Sequence, residues 1–202
     1  MRSTHLRKFA YLPLLALVAT SAASAAPEVS TSKVNSAEYR VWSFGAEANG
    51  LLKEIKFLSG KLKIDTGILE SYKSQTQLHW QTHAQRLNLA REHINEIGKR
   101  LGRLQAIRSE VAPWQQRAIE EIVPVAADLA AHTEAAIQHL NENRNRLLAP
   151  EYTDHLSSIA ERSAELKESA DLFLEFGDTS DKLDRMQKKL DRLQERIGLS
   201  ES

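Results

Sequence analysis

No cysteine occurs anywhere in the chain, which removes thiol nucleophiles, disulfide staples and thiolate metal ligands at once and leaves packing as the source of stability. With no cysteine behind the N-terminal apolar run, lipoprotein anchoring is not expected either. An excess of one charge is also missing, since 27 basic residues stand against 27 acidic ones. A surplus of positive charge is what neutralises a phosphate backbone, so a nucleic-acid partner is not expected. The 8 glycines form no phosphate-cradling loop, and no G-x-S-x-G nucleophile elbow exists. Aspartates and glutamates are scattered over polar faces. The chain reads as a non-enzyme without a cofactor.

Long apolar runs are absent too. The first residues combine a basic stretch (Arg2, Arg7, Lys8), an apolar run from Phe9 to Val18 that contains Pro13, and small residues from Thr20 to Ala26. That is the pattern of a secretory signal peptide, and its apolar part falls short of the roughly 20 residues that span a bilayer. Ala23, Ser24 and Ala25 place the cut before Ala26, so 1–25 is the expected signal peptide and the mature product is periplasmic or secreted. Removing Arg2, Arg7 and Lys8 leaves 24 basic against 27 acidic residues, a net charge near −3. No later segment reaches transmembrane length without charges, so no membrane span follows cleavage. Residues 26–35 lack any period and read as a flexible tether.

What the chain does have is helical rhythm. Val41, Phe44, Ala48, Leu51, Ile55, Leu58 and Leu62 advance by threes and fours, as do Trp80, His83, Leu87, Ala90, Ile94, Ile97, Leu101 and Leu104. The pattern predicts an all-α protein: an elongated antiparallel four- to five-helix bundle with coiled-coil-like heptad packing over 36–177. A coiled-coil-like helix and short tail follow over 178–202. Asn35 and Glu38 form a capping-box pattern, which starts a first helix at about 36. Asp65, Thr66 and Gly67 predict a turn, and a second helix then runs to about 111. Pro113 and Pro150 open the third and fourth helices, while Pro124 predicts either a kink or a split. The fourth helix buries Tyr152, Leu156, Ile159, Ser163, Leu166, Ala170 and Phe173, and Phe176, Gly177 and Asp178 are expected to break it.

The residues KLDRMQK (182–188) repeat almost unchanged as KLDRLQE (189–195), a period of seven. Leu183, Met186, Leu190, Leu193 and Ile197 fall on one seam, flanked by Lys182, Lys189 and Arg196 on one edge and Gln187 and Gln194 on the other. These edges give no charge complementarity for a parallel homodimer. About 20 residues are marginal as an isolated helix, so the seam calls for a cover. The chain's own bundle is the favoured cover, and another protein is the alternative. Trp114, beside Pro113 at a hairpin tip, is the other candidate anchor for a protein partner, since aromatics concentrate at binding hot spots. A staple beneath the turn is an equal reading of Trp114.

Histidine supplies the remaining candidate chemistry. His79 and His83 stand four apart in HWQTH, but Trp80 occupies the place of the glutamate that zinc proteases need. Folded as hairpins turning near Ala112 and near Ala149 or Pro150, the chain brings His79, His83, His139 and His155 toward one end, a conceivable metal or haem site between helices. The same register sets His93 beside His132, and Gly98 and Gly102 opposite Ala126 and Ala127. Solvated or core-satisfied histidines remain the plainer reading.

Three functions compete. The first is an exported, non-catalytic bundle that binds or spaces other proteins, with an unidentified protein partner and homo-oligomers allowed. The second is a soluble periplasmic bundle holding a metal, haem or small ligand, and the third is attachment to lipid surfaces, which balanced charge disfavours. The first is preferred.

Overall fold

The structure, a computed structural model, describes residues 43–198; the expected signal peptide, the tether, Val41 and Trp42 lie outside the described residues. All regular structure within them is helical. Four long helices occur: α1 (Gly45–Ser71), α2 (Trp80–Ala106), α3 (Pro113–Glu142) and α4 (Pro150–Gly198). Single 3₁₀ turns follow α1 at Tyr72–Ser74 and precede α3 at Arg108–Glu110. No helix among the described residues is long and apolar enough to cross a membrane.

Each helix packs on its neighbours in sequence, and α4 closes back onto α1. Cross-helix pairs fix the directions. Glu47 meets Arg103 while Glu54 meets Arg100, so α1 and α2 run oppositely. Ser163 meets Thr66 while Asp171 meets Lys56, which turns α4 against α1. Asp128 meets Arg162 and Gly177 approaches Trp114, which does the same for α3 and α4.

The core follows the apolar periods on α2 and along most of α4, whereas on α1 Ala48, Ile55 and Leu62 are buried as expected but Leu52 and Ser59 take the places of Leu51 and Leu58, which are partly buried. On α2, His83, Leu87, Ala90, Ile94, Ile97, Leu101 and Leu104 are all buried, seven of the eight positions the spacing selects. Trp80 is partly buried against them. On α4 the stripe from Tyr152 to Ala170 is buried as expected, but Leu174 rather than Phe173 continues it.

Three expectations are corrected, and at Pro124 one of two alternatives is excluded. Asp65, Thr66 and Gly67 make no turn, and α1 runs through them because the first two point inward. The Asp65 carboxylate accepts from Arg86 at 2.7 Å and lies 3.2 Å from His93, and Thr66 Oγ1 meets Ser163 Oγ at 2.5 Å. Burying these groups is affordable only with such partners, and with them the helix persists. The turn falls instead at 72–79, so α2 starts at Trp80 rather than near Ile68. At Pro124, where a kink or a split was expected, α3 runs on without a split. The proline ring and Glu120, whose carbonyl loses its helical donor, both lie on the exposed side, where water can replace the bond.

The last correction concerns α4. Phe176, Gly177 and Asp178 do not break it, and the helix continues without interruption to Gly198, giving four long helices among the described residues where a fifth was favoured. Gly177 serves packing. A Cβ there would lie 2.5 Å from Trp114 Cζ2, so only glycine lets the indole rest on the α4 backbone. Gly98 and Gly102 do not play that part, because both face open space.

Candidate functional site

Two places carry the residues singled out by the sequence. The first is the end of the helix assembly where α1 and α3 finish and α2 and α4 begin. There His83 is buried between two tyrosines, its ring centroid 5.0 Å from Tyr72 and 5.6 Å from Tyr152. Its Nδ1 lies 2.9 Å from the Tyr152 hydroxyl, and its Nε2 is buried without a hydrogen-bond partner. Desolvation pushes the imidazole below the ordinary histidine value and the Tyr152 phenol well above its own, so both are held neutral. A neutral ring that accepts the phenolic proton at Nδ1 carries its own proton on Nε2, the atom left unpaired.

His139 stacks on Tyr152 at 5.2 Å, and its Nε2 lies 3.3 Å from the Arg146 carbonyl. His83 and His139 are therefore brought to one side chain, though not to one another's nitrogens. His155 goes elsewhere. Its Nδ1 is 3.1 Å from Nδ1 of His132 across the α3–α4 contact, with Asp128 3.7 Å from the far nitrogen of His132. Burial lowers the His155 value first, and His132 and His139 lower it further, while Asp154 opposes them. His79 sits outside both clusters. It precedes α2 in a groove that it shares with Leu78, Trp80, Arg144 and Asn145, where the Arg144 guanidinium lies 4.3 Å above the Trp80 ring.

The four histidines named from sequence thus divide among three settings, and no group of three or more His, Asp or Glu positioned to hold a metal occurs among the described residues. The expected pairing of His93 with His132 is replaced by His93 with Asp65 and His132 with His155. The α2–α3 connection begins after Ala106 and so centres before Ala112, which slides His93 off His132, and the connection 143–149 turns α3 into α4 earlier than the proline at 150 suggested, which brings His132 to His155. His132 was not paired with His155 by sequence reasoning for that reason. The apolar spacing picks out Tyr152 as a core residue and passes over Tyr72, although both rings lie against His83, which burial keeps neutral.

The second place is the C-terminal part of α4. From residue 181 to residue 197 every side chain is exposed. The seam residues Leu183, Met186, Leu190, Leu193 and Ile197 are between 43% and 62% exposed, so the favoured docking of this segment on the chain's own bundle is corrected among the described residues. Leu172 and Phe176 are exposed too, and they continue the seam seven residues per repeat toward the folded body. The stripe from Leu172 to Ile197 extends over roughly 38 Å at 1.5 Å per residue. At its base, Pro113, Trp114, Arg117, Phe173, Phe176 and Ser180 line an open groove of about 430 Å³. Trp114 rests one ring edge on Gly177, and the residue also borders this groove.

What the second place presents is a line of large apolar side chains in water. Comparison with protein-family models, with curated proteins and with solved structures finds no match.

Proposed function

We propose that the chain is an exported, non-catalytic helical module, in the periplasm or outside the cell, that binds another protein through the C-terminal half of α4. The observation that carries this reading is the exposed seam of Leu172, Phe176, Leu183, Met186, Leu190 and Leu193 on one face of a continuous helix. Large apolar side chains left in water singly are ordinary, but a contiguous stripe of them marks an interaction surface. Heptad packing of the kind expected along the other helices would extend to this seam once it is covered. The remaining core, anchored by Leu52, Ile55, Leu87, Ile97, Leu129 and Leu156, acts as the rigid base.

Export itself rests on the N-terminal sequence pattern and is tested by fractionation and N-terminal sequencing of the mature product. Docking is tested by crosslinking in the exported fraction of cells making either the full chain or a version lacking 181–202. Crosslinked protein should be recovered with the first and lost with the second while the truncated chain stays folded. Equal recovery with both would remove α4 as the docking element. The competing reading, a metal, haem or small ligand held among the histidines, predicts stoichiometric metal or a Soret band on the protein purified from its native compartment.

A further inference from the structure

The α4 seam has two unlike edges. In the phase that puts Leu183 and Leu190 at one seam position and Met186 and Leu193 at the other, Lys182, Lys189 and Arg196 flank it on one side. Ser180, Gln187 and Gln194 flank it on the other. Lys189 and Arg196 have no acidic residue three or four places away, so neither charge is offset within the helix. Flanking charges of this kind choose partner and orientation in helix pairs. A second copy of the chain satisfies them poorly. Side by side in parallel, lysines would face glutamines; antiparallel, the basic edge would face itself, Lys182 against Lys189.

Resting on the docking role proposed above, we infer that the occupant is an amphipathic helix of a different protein, with an apolar heptad stripe bordered by carboxylates on the edge that meets Lys182, Lys189 and Arg196. One end of that helix lies in the groove of Trp114, Phe173 and Phe176. A lipid surface fits less well, for two reasons. The stripe is narrow, about two residues in seven, whereas helices that lie in a membrane interface present a broad apolar face. The polar remainder is also mixed, with six basic and five acidic residues between 178 and 197.

The test titrates the full chain at low salt with two synthetic four-heptad peptides that share a leucine seam. One carries glutamate at both flanking positions and the other lysine, and like charges on their flanks keep each from pairing with itself. The glutamate peptide is expected to bind at least tenfold more tightly, with the gap shrinking as salt rises. Reversing the edge with Lys182→Glu, Lys189→Glu and Arg196→Glu together should invert the preference, and Leu183→Ser with Leu190→Ser should abolish binding of both. These positions are exposed, so circular dichroism should show the variants folded. Equal binding of the two peptides would overturn the acidic partner and leave the docking role standing. Binding of neither would overturn the inference. So would a concentration-dependent dimer of the chain alone that the Leu183→Ser, Leu190→Ser variant loses, which assigns the seam to a second copy. Flotation with phosphatidylglycerol vesicles that the same variant loses would replace the helix with a membrane.

Discussion

At the scale of single residues, buried polar groups decide more than their number suggests. His83 has one hydrogen bond, to Tyr152, and an unpaired Nε2. Tyr152→Phe strips that last partner from a buried ring and should destabilise the fold by about 1–3 kcal/mol in urea denaturation. In a His83→Leu background the same change should cost measurably less, because no orphaned nitrogen remains, and a double-mutant cycle reads the difference. Additive losses would mean that the bond carries no coupling. The lowered values of His83 and His155 have a second consequence. Above the ordinary histidine value of 6.5 both rings are neutral folded or unfolded, and stability is complete. As pH falls below 6.5 the unfolded chain takes up protons that the folded one refuses, so stability drops until pH passes below the depressed folded values. The urea midpoint should therefore decline from pH 7 to pH 5, and His83→Gln with His155→Gln should flatten the slope. These polar positions are also where the sequence was least legible. Asp65, Thr66 and Ser59 look like loop or surface residues until their cross-helix and backbone partners are known, and apolar periodicity is silent about them.

At the scale of the element, glycine separates two uses that composition cannot. Gly50, Gly98 and Gly102 lie inside helices with nothing near the space a Cβ would fill. Replacing each with alanine should raise stability by up to about 1 kcal/mol through backbone entropy and helix propensity. Gly177→Ala should do the opposite. The new methyl would meet the Trp114 ring at 2.5 Å, and overpacking of that kind costs about 1–3 kcal/mol, more than the propensity gain of about 1. In a Trp114→Leu background the alanine should become neutral or stabilising; if it stays harmful there, the indole is not the obstacle. The helix pattern itself was largely legible. Apolar residues at steps of three and four picked out the buried face of α2 almost completely, and Pro113 and Pro150 marked two helix starts. Connections were not, because 72–79 and 143–149 lack the glycine and proline that announce turns. The earlier turn at 143–149 slid the α3–α4 register and set His132 against His155.

At the scale of the whole chain, the end of α4 is helical for a reason that differs from the rest. An isolated segment of that length would be marginal, since forming the first turn is unfavourable. Here the nucleus already exists in the buried part of α4 from Tyr152 to Leu174, and the exposed turns only propagate it. Sequence could state that the seam requires a cover, because a heptad stripe means burial, but not whose surface provides it. The exposed side chains from 181 to 197 have consequences for stability. Removing 181–202 should leave the urea midpoint of the remaining chain unchanged within error, because every side chain from 181 to 197 is exposed. Far-ultraviolet circular dichroism should fall only by the helical signal of 181–198. Trypsin should cut first after Lys182, Arg185, Lys189 and Arg192, since exposed, locally unsupported helix opens most easily. A sharp fall in midpoint on truncation would mean that this segment packs on its own protein, and the seam would then need no outside partner.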